Sequence, residues 1–394
     1  MENSSQHDPV PRAQSLLPTV WHRAAAGTAV VAVVAAITTW ALLRSPTKPT
    51  EASAVEPGTT VAETSIPETT PESTSTTPPP DAPKICTPPP EGTGPAGPLT
   101  GRPVERPGYE NRPALVVKID NLDYAARPQG GLSRADVVYE ERVEGLITRF
   151  AAVFHGNDAT YVGPIRSGRS TDVAIVGPLN YPLFAFSGAN GAFLDLLRSS
   201  RLVDIGADAR PGAYYRSGGQ APHNLFSSTN VLYNQGKSGP PPPLWPFRGE
   251  DEPPPAGGRR AYGASFNFGG GNTAVLYTWD AAKKGWARTQ NGSPHIDTDY
   301  CQVTPQNVII QLVDYVDSGV PDGYGNPIPE ARQIGEGNGW VLTGGYAIPV
   351  RWRKSRIEEP TQFLGPDDQP VALAPGRTWV ELVPTQSGAT IYYG

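Results

Sequence analysis

From Ala24 to Leu43 the chain runs AAAGTAVVAVVAAITTWALL without a charged residue, and residues 45–83 after it are mostly Ser, Thr, Pro and Glu. An uncharged apolar stretch of ~20 residues has the length of a bilayer-spanning helix. A segment with hardly a large apolar side chain cannot bury enough surface to offset the entropy of ordering it. Together these neighbours divide the chain. They predict a cytoplasmic tail at 1–23, a transmembrane helix at 24–43 and a disordered Ser/Thr/Pro-rich stalk at 44–105, with folding left to the residues beyond. A buried core helix is the alternative for 24–43, but its flanks offer nothing to pack against. A cleaved signal peptide would carry a shorter apolar region of ~7–15 residues. Arg12 and Arg23 on one side balance Arg44 and Lys48 on the other, so the positive-inside count is a tie. The stalk decides the expected orientation, N-terminus inside and the remainder extracytoplasmic, because its composition suits a domain held off a membrane.

Beyond the stalk the texture changes twice. Residues 106–236 read as an N-terminal α+β domain, a mixed-sheet α/β sandwich: a buried strand over 114–119, a hairpin, then short helices over 170–178, 192–201 and 228–235 around a strand at 183–187. Residues 237–259 hold two PPP runs and read as an extended, semi-rigid linker. From 260 to 394, short β-prone runs separated by Gly, Pro and Asp predict a small all-β domain docked on the first. The net charge of -6 argues against nucleic acid as a partner. No Walker loop, HExxH, CxxC or GxSxG appears, so no cofactor is expected.

Charge that ordinary surface does not explain is concentrated in residues 120–171. Val137 to Glu144 alternates and then turns through Gly145 into Ile147 to His155, the pattern of an antiparallel hairpin. Period two puts Glu140, Arg142 and Glu144 on one face and Val137, Tyr139 and Val143 largely on the other. IDN (119–121), ARPQGGLSRADVVYE (126–140), VEGLITRF (143–150), GPIRSGR (163–169), SGAN (187–190), PHNLF (222–226), NGSPHIDTD (291–299), NVIIQ (307–311) and PGRTWVEL (375–382) resemble the YerB-like bacterial lipoproteins, a domain family of unknown function. The resemblance spans most of 111–383. It implies a two-part extracytoplasmic protein held at the membrane. The sequence departs from that pattern in having no cysteine at a lipidation position near the N-terminus, so the expected anchor is a helix.

Four candidate sites follow. In Arg166-Ser167-Gly168-Arg169-Ser170, two guanidiniums and two hydroxyls precede a possible helix start, a cradle for a carboxylate or phosphate of a cell-envelope polymer; internal pairing with Glu140, Glu144 or Asp172 is the alternative. Arg166 and Arg169 are expected to share one polar cleft with Glu140, Glu144 and Arg149, and Asp120, Asn121, Arg149, Arg166, Ser167 and Arg169 are the expected ligand-binding residues, open to an anionic cell-envelope polymer or a membrane-protein partner. Glu140 and Glu144 lie roughly 13 Å apart at ~3.3 Å per residue, too far to share a proton. They remain weak acid-base candidates for a cell-wall hydrolase or transferase, with salt bridging to Arg142 and Arg149 the ordinary reading. His223, and His295 with Asp297 two residues on, are either oriented bases or structural loop residues. Neither has a second histidine at ligand spacing, so no metal is expected. Trp279, Trp286, Trp340, Trp352 and Trp379 are either a sugar-stacking platform or simply core. Cys86 and Cys301, in an extracytoplasmic chain, read as a disulfide closing a very long loop, worth roughly 4–5 kcal/mol; two buried free thiols are the alternative.

Overall fold

The computed structural model describes residues 86, 89–249 and 252–394. The expected cytoplasmic tail, transmembrane helix and stalk up to residue 85 lie outside them. Among the described residues no helix is long and apolar enough to cross a membrane. Most regular structure is β, with few and short helices.

The strands of the first part are β1 (Leu115–Asp120), β2 (Val137–Arg142), β3 (Thr148–Phe154), β4 (Leu183–Ala185), β5 (Val203–Asp204), β6 (Tyr215–Arg216) and β7 (Leu225–Phe226). The second part adds β8 (Arg259–Asn267), β9 (Ala274–Asp280), β10 (Gly285–Gln290), β11 (Ser293–Pro294), β12 (Asn307–Val313), β13 (Tyr315–Pro321) and β14 (Pro327–Ala331). It ends with β15 (Gly335–Thr343), β16 (Tyr346–Lys354), β17 (Gln362–Leu364), β18 (Thr378–Pro384) and β19 (Ala389–Tyr393). One sheet runs β11-β10-β9-β8-β16-β15-β12-β18-β2-β3-β1-β4-β5, with β17 on β16 and β19 on β8.

β18 makes the join. It pairs in parallel with β12 on one side and with β2 on the other, so hydrogen bonding passes without a break from C-terminal to N-terminal strands. Parallel neighbours need long crossovers, and here the crossover into β18 carries the β13–β14 hairpin and β15 to β17. Both faces of the central strands are covered, as in sheets with long apolar runs. One core gathers Ile119, Phe150, Trp286 and Trp379; the other gathers Val116, Ala151, Ile175 and Val380.

Short helices flank the N-terminal strands, the first of them Asp123–Ala126. Asp172–Val176 buries Ile175 and Val176, and Gly191–Arg198 is capped by Asn190 and buries Phe193 and Leu197 while leaving Leu196 exposed. Thr229–Tyr233 begins at Ser228, whose hydroxyl accepts from Val231 N, the expected role of serine at that position. Two segments read as loose connectors are docked instead. Leu99 and Val104, in the last part of the expected stalk, are buried, and Glu105 N donates to Gly156 O. Leu244 and Trp245, in the proline-rich linker, are buried too, the indole donating to Thr361 O. Isolated large apolar side chains in a proline-rich run were the local sign of this. Cys86 and Cys301 are joined as a disulfide. Trp286, Trp352 and Trp379 are buried, so the tryptophans are chiefly core.

Candidate functional site

The hairpin forms as its alternation suggested: β2 pairs antiparallel with β3, and Gly145 takes a left-handed φ of 72° in the turn. Every residue of β3 and all but Arg142 of β2 are buried, so its polar face is interior rather than surface. Charges on β1 to β3 therefore need partners, and those of Asp120, Arg149 and Glu140 find them in three clusters.

The first lies where IDN, GPIRSGR, SGAN and PHNLF converge. Asp120 N donates to Pro164 O, Ser187 N to Arg166 O, and Ile165 N to Leu225 O, stitching the four segments side by side. Asp120, 1% exposed, is the hub: its Oδ2 lies 2.5 Å from His223 Nδ1 and 3.2 Å from Arg166 Nε. Arg166 and His223 are 16% and 21% exposed. Among the described residues no other polar partner is seen for the terminal nitrogens of Arg166 or for Nε2 of His223. The pairing orients the imidazole and leaves its far nitrogen for a ligand or a proton.

The second cluster adjoins the first. Arg169 grips Glu144 with Nε at 2.8 Å and with Nη2, and Arg149 Nη2 reaches the same carboxylate at 3.1 Å. Ser167 contributes its carbonyl, which accepts from Arg149 Nη1. Burial alone would raise the Glu144 carboxyl, but bonding to Arg169 and the charges of Arg149 and Arg169 bring it down to about 2. Burial and then the charge of Arg169 lower Arg149 to about 10.

The third cluster is on the opposite face of the sheet. Glu140 accepts from Arg288 Nη2 at 2.5 Å, from Thr148 Oγ1 at 2.6 Å and from Asn121 Nδ2 at 3.1 Å. Arg288 also meets Gln290 and His295 Nδ1, and His295 Nε2 faces Gln129 Oε1 at 2.9 Å. The guanidinium donates to Nδ1, so the proton of this imidazole sits on Nε2; burial first, then Arg288, holds it well below the usual histidine range. Glu381 closes the group, bonded by Tyr277 at 2.5 Å. Burial and the neighbouring Glu140 charge push it well above the usual carboxylate range.

The expected single cleft is thus two adjoining clusters plus a third behind the sheet. Asp120, Arg149, Arg166, Ser167, Arg169 and Glu144 are together; Glu140 and Asn121 are not. Period two holds only to Arg142, where β2 ends: Glu144 lies two residues past it, in the 3-10 turn Glu144–Leu146, and swings away from the face of Glu140. His295 does not use Asp297, whose carboxylate accepts from the backbone of Gly131 and Ser133.

Several residues of this network escaped the sequence reading. Lys118 is fully buried, its Nζ at 2.6 Å from Glu141 and 2.8 Å from Asp172. A lysine within the apolar run of β1 was the available signal, since lysine is almost never buried without a partner. Arg288 and Glu381 gave no such sign, because their partner Glu140 is distant in sequence.

In comparisons with known proteins, the family described as "Protein of unknown function (DUF3048)" matches twice, its N-terminal domain over residues 99–240 and its C-terminal domain over 264–380. "Putative lipoprotein YerB" of Bacillus subtilis is 28% identical over 309 residues, 75% of this chain and 88% of that protein. A crystal structure of YerB from Bacillus subtilis shares the fold with a TM-score of 0.63 at 24% identity, covering 75% of this chain and 98% of that one.

Proposed function

This chain belongs to the DUF3048 family of proteins of unknown function, and on that premise we propose that it is a membrane-held, extracytoplasmic cell-envelope protein that binds an anionic group of an envelope polymer at the Arg166–His223 rim. The observation that carries the reading is the shared use of Asp120: one buried carboxylate oxygen holds both side chains, leaving a guanidinium and an imidazole nitrogen available at partial exposure. The Arg166 guanidinium, ion-paired to Asp120 through Nε without a hydrogen bond there among the described residues, has its outer nitrogens to meet a carboxylate or phosphate. The naming of a relative as a lipoprotein supports membrane association; the apolar stretch 24–43 supports a helical anchor with the folded part outside.

The same geometry supports a second reading, a hydrolase or transferase in which His223 is the general base and Asp120 its orienting partner. The two readings part under substitution. Detergent-solubilised full-length protein, incubated with fragmented cell envelope, retains anionic fragments if it is a binder, and Arg166→Lys and His223→Gln each reduce retention. A hydrolase with His223→Gln instead keeps its fragments and stops releasing products. Unchanged retention and unchanged products in both variants would remove the rim from consideration.

A further inference from the structure

Arg149 and Arg169 are 3% and 8% exposed, whereas the Glu144 side chain between them is 22% exposed. Each guanidinium is anchored from behind by backbone, Arg149 Nη1 to Ser167 O at 3.1 Å and Arg169 Nη1 to Gly168 O at 2.7 Å. Nε and Nη2 lie along one edge of a guanidinium, the edge that grips an oxyanion with two bonds. On Arg169 that edge is filled by the two oxygens of Glu144. On Arg149 it is half filled: Nη2 shares Oε1 with Arg169, and the buried Nε has no hydrogen-bond partner among the described residues. Glu144 therefore presents two oxygens to four donors. It does so from a turn, not a strand, with Gly145 exposed at φ 72°, open space where a Cβ would sit, and Leu146 50% exposed.

We propose that the Arg149–Arg169 pair is a receptor for a phosphoryl group, and that Glu144 is a built-in carboxylate that occupies it until such a group takes its place. This rests on the anion-binding reading above and deepens it, naming the anion and the residue that competes with it. A phosphoryl group brings a third oxygen for Arg149 Nε and more negative charge than a carboxylate. The backbone anchors of both arginines do not involve Glu144, so the donors stay in position when the turn moves out. Glu144, held at about 2, remains ionised near neutral pH, so displacement there is by competition and not by protonation.

The test is calorimetric titration of the full-length protein in detergent with inorganic phosphate, in phosphate-free buffer. Glu144→Gln is expected to bind phosphate about tenfold more tightly than the parent, the loss of one charged competitor. Adding Arg149→Lys to Glu144→Gln should abolish the gain, and acetate should show a smaller gain than phosphate. Equal phosphate affinity in the parent and a folded Glu144→Gln overturns the proposal, and an equal gain with acetate overturns the phosphoryl assignment. Should Glu144→Gln not fold, amide hydrogen exchange of the parent decides: at saturating phosphate residues 144–147 exchange faster than in chloride of equal ionic strength, and unchanged exchange overturns the displacement. Parallel titrations of Glu144→Gln with soluble polyphosphate and with phosphatidylglycerol vesicles tell a polymer source from a lipid source, and binding to neither counts against the receptor. Envelope retention that depends on Arg166, with no gain in Glu144→Gln, would leave the rim reading standing and this inference failed.

Discussion

Arg288 shows how much one side chain is asked to do. It is fully buried and is the charge partner of Glu140, while also bonding Gln290 and His295. Breaking a buried pair by removing one member leaves an uncompensated charge and costs about 3–5 kcal/mol. Arg288→Met is therefore expected to lower unfolding free energy by about that amount, read from urea denaturation. A loss under 1 kcal/mol, roughly the value of an exposed pair, would show that the buried Arg288–Glu140 pair does not carry that stability. Glu144 predicts a pH dependence of definite sign. Its carboxyl is lowered from the ordinary 4.5 to about 2 in the folded protein, so its contribution is complete above 4.5 and disappears as pH falls toward 2. The stability difference between the parent and Glu144→Gln should shrink over that interval in acid titrations monitored by circular dichroism; a constant difference would mean that Glu144 titrates normally.

At the scale of elements, the β13–β14 hairpin stands apart from the main sheet. Its tip is held chiefly by the Asp322 carboxylate, which accepts from Tyr324 N and Asn326 N, and Tyr324 is 95% exposed. Exposed tips without ladder bonds are where proteases nick first. Within residues 89–394, an aromatic-specific protease is expected to cut at Tyr324 before any other site, and a first cut at the sheet residue Tyr262 would contradict the order of stability proposed here. The hairpin, like β17 and β19, is not legible in the sequence pattern. Its alternation is weak because β13 buries none of its residues and β14 only Ile328 and Ala331. Two buried apolar side chains make too short a stripe to read.

For the whole molecule the decisive fact is that β18 belongs to both parts. A sheet continuous through a central strand should unfold as one unit. Residues 106–236 contain no tryptophan and five of the eight lie within 260–394, so intrinsic fluorescence of a Trp21→Phe, Trp40→Phe, Trp245→Phe variant reports the C-terminal part and hydrogen exchange of β1 and β3 reports the other. The two transitions should coincide in denaturant; separated midpoints would show that the halves fold independently. Reducing Cys86–Cys301 should lower the common midpoint, by at most roughly 4–5 kcal/mol of stability on the loop-entropy account. The sequence by itself determined the short β runs after residue 260, the hairpin about Gly145 and the only cysteine pairing available to two cysteines, because alternation, turn residues and counting are local or exhaustive. Only the tertiary structure decided that β18 lies between β12 and β2, that Glu140 faces Arg288 rather than Arg149, and that Glu144 turns from one side of the sheet to the other. Period two tells which residues share a face, but it does not say what covers that face, and strand order is set by pairings between segments hundreds of residues apart that no local pattern encodes.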